Sequence, residues 1–264
     1  MGAPVGKEVR QSYILPGEGK AALVLDLSRS GAAGATPGME KIRDVLERAS
    51  PLADAIILNP GAMEKNADLL GGKSLAAGLV KADWTNAHRP SDFALPVQKI
   101  HRVLLSDAED ALLLGALGVV ATLLMGFEDE FEADNIESVS HLARSCYEAS
   151  LPLLIDVLPA GPKVTPVNHD DVVKLAVSFM MEAGADAIIV PPVGDEARKL
   201  LGSWCTVPLL ERREDFPTAD ELEKLTAAGY RGVVVTEEAM TTGDWEQRLR
   251  NLARAVGHGQ GRGE

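Results

Sequence analysis

The fold is decided by the stretch AGADAIIVPP at residues 183–192. It reads as the end of a helix, a turn at Gly184 and then a short apolar segment in which polar and apolar residues do not alternate. A strand that is apolar on both faces is buried on both faces, as in a parallel sheet that helices cover. The stretch therefore predicts a buried strand over residues 187–190 that directly follows a helix.

The same pattern recurs along the chain, with a helical segment before each copy and a polar or conformationally special residue after it. Further copies cover residues 52–59, 114–122 and 228–236. With other short apolar runs, they predict eight strands over residues 21–26, 54–58, 75–80, 118–124, 152–157, 187–190, 207–210 and 232–235. About eight helices alternate with these strands, which predicts an α/β protein of one domain, a parallel (β/α)8 TIM barrel.

The composition does not change along the chain in a way that would mark a second domain. We expect residues 1–256 to form the barrel, with residues 1–19 as an N-terminal arm across its floor. The Gly-rich tail, residues 257–264, is expected to be disordered.

The composition fits a barrel and limits its partners. The chain has 264 residues, of which 46% are hydrophobic and 4% aromatic, so a large aliphatic core is expected. The net charge of −13 repels phosphodiester backbones and anionic lipid surfaces. We therefore expect a small-molecule substrate, and neither nucleic acid nor a membrane as a partner.

The two cysteines, Cys146 and Cys205, lie far apart in apolar surroundings and lack the spacing of a metal site. We interpret them as buried thiols in a reducing cytoplasm. The start of the sequence lacks the pattern of a secretion signal, and no apolar run approaches the length that spans a membrane. The sequence therefore predicts a cytoplasmic protein.

In a TIM barrel the chemistry lies at the carboxyl ends of the strands. The residues at or just after the predicted strand ends are Asp26, Asn59, Lys81, Asp83, Glu128, Asp156, Pro191, Glu211, Arg212, Thr236 and Glu237. They are the candidates for catalysis and binding.

Three of these candidates are predicted to be catalytic: Asp26, Lys81 and Asp156. Lys81 is the only lysine at a predicted strand end, where a desolvated amine is suited to act as a Schiff-base nucleophile or as a general acid or base. The alternative is an ion pair with Asp26 or Asp83, or a position in solvent. Asp26 and Asp156 each follow an apolar strand, where a carboxylate must be paired or used. We expect these two to divide the acid and base roles in proton transfer.

A second group is predicted to bind the substrate: Ser28, Asn59, Asp83, Trp84, Glu211, Arg212 and Glu237. Arg212 is suited to clamp a carboxylate or a phosphate, and the alternative is a surface ion pair with Glu211 or Glu214. Trp84 either stacks on a ligand or shelters the rim. Glu237 is suited to neutralise an amino group or to hold a divalent metal with other carboxylates, but no histidine stands at a strand end. We therefore predict neither a metal nor a cofactor.

Residues 85–97 form a polar loop with the features of a lid or an oligomer contact, which are Asn86, the run from His88 to Pro90, and Phe93. Four of the five histidines are interpreted as surface or capping residues, namely His88, His101, His141 and His169.

Several phrases along the predicted barrel match a known group of enzymes in order. Residues 25–28 and 36–38 are similar to a first-strand Asp-His-Gly motif and the loop after it, and residues 125–128 to the end of a fourth βα unit. Residues 151–161 are similar to a fifth strand with a Pro-Arg-Gly turn, and residues 183–186 to the entry of a sixth strand. The chain thereby resembles the class I aldolases of the archaeal-type fructose-bisphosphate aldolase and deoxyribose-phosphate aldolase group. The resemblance implies a homo-oligomeric lyase of carbohydrate metabolism that works through a Schiff base.

The sequence departs from this group at the residues that carry its chemistry. The group's Schiff-base lysine ends the sixth strand, where this sequence has Val190-Pro191, and Leu27 stands in place of the first motif's histidine. Asp156 or Val157 replaces the tyrosine that acts as general acid and base.

The phosphate-binding turns of the group are also replaced. Glu211-Arg212-Arg213 follows the seventh strand and Glu237-Glu238 follows the eighth, where the group has Gly-Gly and Gly-Arg. A phosphate site needs backbone N–H groups and positive charge, and carboxylates supply neither.

The sequence thus predicts a lyase that makes or breaks a C–C bond, or carries out related proton transfer, on a small oxygenated metabolite, phosphorylated or not. Lys81 would serve in place of the missing lysine. One alternative is a catalytically inactive barrel that acts as a ligand-binding or structural subunit. Another is a lyase or isomerase that works without a lysine.

Overall fold

The computed structural model describes residues 4–17, 19–72, 74–89 and 92–257. The strands in chain order are β1 (Ala22–Asp26), β2 (Ala55–Leu58), β3 (Ala77–Lys81), β4 (Asp83–Thr85), β5 (Arg102–Leu104), β6 (Gly118–Leu124), β7 (Leu153–Leu158), β8 (Ala187–Val190), β9 (Leu209–Arg213) and β10 (Gly232–Thr236). Eight of them close into a parallel barrel in the order β1-β10-β9-β8-β7-β6-β3-β2, while β4 and β5 form a separate antiparallel pair. The predicted (β/α)8 TIM barrel is confirmed.

Helices alternate with the barrel strands, and most of them bury an apolar face against the strands. They are α1 (Val5–Ile14), α2 (Ser30–Ala33), α3 (Ile42–Ala49), α4 (Pro60–Asn66), α5 (Ala108–Leu113), α6 (Asp129–Glu148), α7 (His169–Ala183), α8 (Asp195–Trp204), α9 (Ala219–Ala227) and α10 (Trp245–Ala255). Short 3₁₀ turns cover Ser50–Leu52, Ala67–Leu69, Asn86–His88 and Glu237–Thr241. No helix in the described ranges has the length and apolar character needed to cross a bilayer.

The strand bounds agree with the sequence where the apolar run is clean. The predicted strands over residues 118–124 and 187–190 have the bounds of β6 and β8. The prediction for the seventh strand, residues 207–210, is displaced, because β9 begins at Leu209 and continues through three charged residues to Arg213. Ion pairs hold all three of those side chains, so the strand continues past the end of its apolar run.

The N-terminal arm contains a helix, α1. Ile14 at its end is buried, and its Cδ1 lies 3.1 Å from where a Cβ would stand on Gly118 at the start of β6. Lys7 is buried too, and its Nζ lies 2.7 Å from Oδ2 of Asp186, just before β8. Since both contacts lie at the amino ends of barrel strands, α1 covers the floor. Residues 258–264 of the predicted tail lie outside the described residues.

Alternation along each strand decides which side chains enter the barrel. Ala77 and Leu79 of β3 belong to the apolar cluster inside the barrel, and so does Leu210 of β9. Lys81 and Arg212 stand two residues further along, so they continue the inward rows at the carboxyl end.

Candidate active site

The inward rows of the strands end in a ring of mostly polar side chains. By strand they are Asp26 (β1), Asn59 (after β2), Lys81 (β3), Thr122 (β6), Asp156 (β7), Pro191 (after β8), Arg212 (β9) and Thr236 (β10). A cavity of about 250 Å³ lies at this ring, and Asp26, Lys81 and Asp156 all line it. The cavity therefore brings together the three residues predicted to be catalytic. It is also lined by five of the predicted binding residues, which are Ser28, Asn59, Asp83, Trp84 and Arg212.

Lys81 is fixed in the wall of this cavity, with 6% of its surface exposed. Its Nζ donates to Oγ1 of Thr122 at 2.6 Å and lies 3.2 Å from Oδ1 of Asp83. Oδ2 of Asp83 accepts from Nε of Arg102 at 2.6 Å and from the backbone N–H of Thr122 at 2.6 Å. Of the two predicted ion-pair partners, Lys81 thus pairs with Asp83.

The Asp83 carboxylate is the centre of this polar cluster. Burial raises the pKa of Asp83, but the charges of Lys81 and Arg102 outweigh burial and hold that pKa below its usual value. Asp83 therefore remains an anion, and its ion pair with Lys81 fixes the position of the Lys81 amine in the cavity wall.

Asp26 faces the same cavity without a cationic partner. Its Oδ1 accepts from the backbone N–H of Ser28 at 3.0 Å and from Oγ of Ser28 at 2.6 Å. Nδ2 of Asn59 donates to the Ser28 carbonyl at 2.7 Å and so holds this loop in place. Because no lysine or arginine of the described chain pairs with Asp26, its second oxygen is available to a ligand.

Arg212 and Asp156 form an ion pair that spans β8, since β9 and β7 flank that strand. Nη2 of Arg212 also donates to the Val157 carbonyl at 3.4 Å. The inward-facing residues at the end of β8 are Ile189 and Pro191, and both are uncharged. No charged side chain of β8 therefore lies between the guanidinium of Arg212 and the carboxylate of Asp156. The sequence left two possibilities for Arg212, a clamp for a ligand or a surface ion pair with Glu211 or Glu214. In the structure Arg212 lines the cavity and pairs with Asp156.

The directions of the β8 side chains correct one detail of the comparison with the aldolase group, which aligned its Schiff-base lysine with Val190-Pro191. Val190 belongs to the cluster between the barrel and its helices. A lysine directed into the cavity from this strand would have to stand at residue 189 or 191. Ile189 and Pro191 occupy those two places, so the strand carries no amine at either.

The roof of the cavity consists of α2 and the residues that follow β3. Nε1 of Trp84 donates to the Gly31 carbonyl at 2.8 Å, and Nε of Arg89 donates to the Ala32 carbonyl at 2.9 Å. Nη2 of Arg29 donates to the His88 carbonyl at 3.2 Å. These three hydrogen bonds hold residues 84–89 over the barrel mouth.

His88 is a cavity residue, contrary to its interpretation as a surface or capping residue. Burial lowers the pKa of its imidazole to about 4, and the charges of Lys81 and Arg212 act in the same direction. His88 is therefore neutral near pH 7 and can accept a hydrogen bond or a proton. It lies in the segment for which the sequence predicts a lid or an oligomer contact, but no periodicity there indicates which side chains enter the cavity.

Glu211 does not line the cavity, in contrast to its prediction as a binding residue. It alternates with Arg212 along β9 and so faces the helices. Its carboxylate lies 3.4 Å from Nε of Arg198 and 3.1 Å from Nη1 of Arg213. Glu211 is thus part of the packing between the barrel and α8.

Glu237, also predicted to bind the substrate, lies behind the cavity wall. It is buried after β10 and accepts a hydrogen bond from Oγ1 of Thr36. Burial raises the pKa of Glu237 to about 7, and the charges of Asp26 and Glu238 add to the shift. In the part of the chain that the structure describes, no three His, Cys, Asp or Glu side chains converge in a way that could hold a metal ion.

A closed parallel barrel with its polar cavity at the carboxyl ends of the strands defines a TIM-barrel protein. The chain belongs to the DeoC/LacD family of aldolases, whose family model matches residues 20–199. The match runs from β1 into α8 and ends before β9. Arg212 and Glu237 lie beyond it, in the part of the barrel where the sequence departs from the aldolase pattern.

Two similar proteins support the assignment to this family. The chain is 24% identical over 260 residues to 2-amino-3,7-dideoxy-D-threo-hept-6-ulosonate synthase 1 of Archaeoglobus fulgidus, covering 97% of this chain and 92% of that protein. It is 29% identical over 157 residues to the class 1 fructose-bisphosphate aldolase of Thermoproteus tenax, covering 56% of this chain and 58% of that one. These similarities support an aldolase-type lyase.

Solved structures share the fold. A Schiff-base-forming fructose-1,6-bisphosphate aldolase superposes with a TM-score of 0.77 at 22% identity, covering 95% of this chain and 99% of that one. An archaeal fructose-1,6-bisphosphate aldolase superposes with a TM-score of 0.74 at 21% identity, covering 95% and 98%. At this level of identity the likeness concerns the fold alone.

Proposed function

We propose that this protein is a lyase that makes or breaks a C–C bond next to a carbonyl group in a small oxygenated metabolite, with Lys81 as its nucleophile. The position of Lys81 carries the proposal. Among the described residues, it is the only lysine that lines the cavity. Because β8 offers Ile189 and Pro191 at its inward positions, the amine of a Schiff-base mechanism has to come from another strand.

The proposed reaction begins when the Lys81 ammonium gives up a proton to the solvent and the resulting amine attacks the carbonyl carbon, so that a C–N bond forms. The carbonyl oxygen takes up two protons and leaves as water, which gives an iminium ion. When the neighbouring C–C bond breaks, its electron pair moves into the iminium to form an enamine, and the hydroxyl proton of the departing fragment passes to a base. Protonation of the enamine carbon and hydrolysis then release the second fragment and restore the amine.

The cavity residues suit these steps. Asp26 has a carboxylate oxygen without a partner, so it is placed to take the hydroxyl proton. Asp156, held by Arg212, is suited to bind a second hydroxyl group of the substrate. Thr122 and Asp83 hold the Lys81 amine at one point of the wall.

A non-catalytic barrel that binds a ligand is the second candidate, and the ion pairs favour it. Lys81 contacts Asp83 and Arg212 pairs with Asp156, so two of the three predicted catalytic groups already have partners. An enzyme without a Schiff base is the third candidate and would rely on the two aspartates alone. These candidates differ in whether a covalent adduct and turnover are observed.

Borohydride trapping tests the proposal. The protein is incubated with dihydroxyacetone, dihydroxyacetone phosphate or pyruvate, reduced with sodium borohydride and mapped by peptide mass spectrometry. We expect a stable secondary amine on Lys81, and Lys81→Met should lose the adduct and lower kcat by on the order of 10⁴-fold or more. Lys7→Met is the matched control, since Lys7 is also buried and paired but lies at the barrel floor.

The control variant should keep the adduct on Lys81. An adduct on a different lysine, or turnover by Lys81→Met, would contradict the role of Lys81. Thermal stabilisation by a ligand without adduct or turnover would instead identify the non-catalytic barrel.

A further inference from the structure

Arg89 differs from the other cations of the cavity because it has no acidic partner among the residues that the structure describes. The others and their partners are Lys81 with Asp83, Arg29 with Glu238 and Arg212 with Asp156. Arg89 lines the same cavity, and no carboxylate in the described ranges forms an ion pair with it. Its positive charge is therefore available to a ligand.

Three contacts hold Arg89 in one orientation. Its Nε donates to the Ala32 carbonyl at 2.9 Å. Its guanidinium carbon lies 4.9 Å from the ring centre of Phe93 and 5.6 Å from that of Trp84. These contacts use Nε and the flat surface of the group, so the two terminal nitrogens are left without an acceptor among the described residues. A guanidinium fixed in this way presents N–H donors at set positions.

A guanidinium can bind either a carboxylate or a phosphate through paired N–H donors, but a carboxylate needs no further donors. The two oxygens of a carboxylate accept side by side from one guanidinium. A phosphate site gathers more donors, commonly backbone N–H groups at a glycine turn, together with further positive charge. Where the aldolase group has such turns, this chain has Glu211-Arg212-Arg213 in β9 and Glu237-Glu238 after β10, and carboxylates already pair with both arginines.

We propose that Arg89, positioned by Trp84 and Phe93, is a carboxylate-binding subsite of this cavity. The substrate is then a hydroxylated carbonyl compound that carries a carboxylate group, with Asp26 accepting from one of its hydroxyl groups. The carbonyl part rests on the proposed function, whereas the carboxylate part rests on Arg89 alone. The two parts can therefore be tested separately.

Lactate is a suitable probe because it has a carboxylate and a hydroxyl group but no carbonyl, so it cannot form an adduct with Lys81. Its affinity is measured by calorimetry at low salt against propane-1,2-diol, which lacks the charge, and against inorganic phosphate. We expect lactate to bind more tightly than either. Arg89→Gln should weaken lactate roughly ten- to hundredfold, as expected for lost hydrogen bonds to a charged group. Arg89→Lys should recover part of the affinity, since it keeps the charge and loses the paired donors.

Arg43→Gln is the control, because Arg43 forms an exposed ion pair with Asp68 away from the cavity. It should bind lactate like the unmodified protein. The fluorescence of Trp84 gives an independent reading: lactate should change the emission of the protein, and Trp84→Phe should abolish that change. Circular dichroism and thermal unfolding confirm that each variant is folded.

The subsite is overturned if Arg89→Gln binds lactate as tightly as the unmodified protein, or if phosphate binds more tightly than lactate. An equal loss in Arg43→Gln would overturn it as well, because the effect would then be one of overall charge. A failure of the Schiff-base proposal has a different outcome, in which pyruvate gives no adduct on Lys81 while lactate still binds through Arg89.

Discussion

Glu237 shows how one buried carboxyl group can tie the stability of the barrel to pH. It lies close to two other acidic groups, Asp26 and Glu238, and burial raises its pKa from 4.5 to about 7. The hydrogen bond from Thr36 offsets part of this shift. Near neutral pH the protein therefore holds a proton on Glu237 that the unfolded chain would release.

Replacing Glu237 should remove a penalty that grows with pH. Because its pKa is higher in the folded state, the stabilising contribution is fully present below about pH 4.5 and is lost as the pH rises through about 7. We expect Glu237→Gln to be more stable than the unmodified protein by about 1–3 kcal/mol at pH 8, and to differ little at pH 5. Urea unfolding at the two pH values measures this difference.

Glu64→Gln is the matched control, because Glu64 is exposed on α4. It should change stability little at either pH. A gain of equal size at pH 5 and pH 8 would show that Glu237 is not the group that titrates.

The strand is the element from which the sequence predicts most of the site. Once an apolar strand is recognised, alternation places its last inward residue at the mouth of the barrel. This logic finds Asp26, Lys81 and Asp156, which line one cavity. It fails for Glu211. The predicted strand ends at residue 210, so the sequence does not show that Glu211 still belongs to the strand and faces outward, toward the helices.

The roof could not be predicted from the sequence. His88 and Arg89 stand in a segment without periodicity, and the contacts that place them come from distant residues. Arg89 depends on the carbonyl of Ala32, and Trp84 on that of Gly31. Hydrogen bonds from side chains to distant backbone groups leave no mark on local sequence patterns, so the prediction of a lid or an oligomer contact over residues 85–97 named His88, Arg89 and Phe93 but not their contacts.

The helix α1 should stabilise the barrel by filling its floor. Ile14 is buried against the inner apolar cluster, whereas Val9 of the same helix is 52% exposed. We expect Ile14→Ala to lower the free energy of unfolding by about 2–4 kcal/mol, the range found when a buried isoleucine is truncated. Val9→Ala, which removes a smaller, exposed side chain, should cost much less. Equal losses in urea unfolding would show that α1 lies on the barrel without filling it.

At the scale of the whole molecule, the chain is strongly acidic, whereas charges of both signs balance at the cavity. The net charge is −13, and the cavity is lined by four cations, Arg29, Lys81, Arg89 and Arg212, and by four carboxylates, Asp26, Asp83, Asp156 and Glu214. Excess negative charge disfavours binding of anionic polymers to the surface. A small anion that fits inside the barrel mouth can still meet Arg89, whose charge no described carboxylate pairs, so the acidic surface disfavours large anionic partners more than small ones.

The site exists only if the barrel closes, and closure depends on the seam between β1 and β10. Asp26 and Thr236 are opposite one another at the upper end of this seam, and Ala22 and Gly232 at its lower end. Gly232 has a φ of 152°, and a Cβ there would lie 2.1 Å from the carbonyl oxygen of Ala22. That oxygen belongs to the backbone of the neighbouring strand, so it cannot move aside without opening the seam.

Gly232→Ala should therefore destabilise the whole barrel, by at least about 2–4 kcal/mol, and weaken the site with it. Gly243→Ala is the matched control, because a Cβ at Gly243 meets nothing within 4 Å. Urea unfolding followed by tryptophan fluorescence gives the stability, and borohydride trapping on Lys81 reports the site in the same samples. If Gly232→Ala unfolds at the same urea concentration as Gly243→Ala, the seam tolerates a methyl group and barrel closure does not depend on glycine at this position.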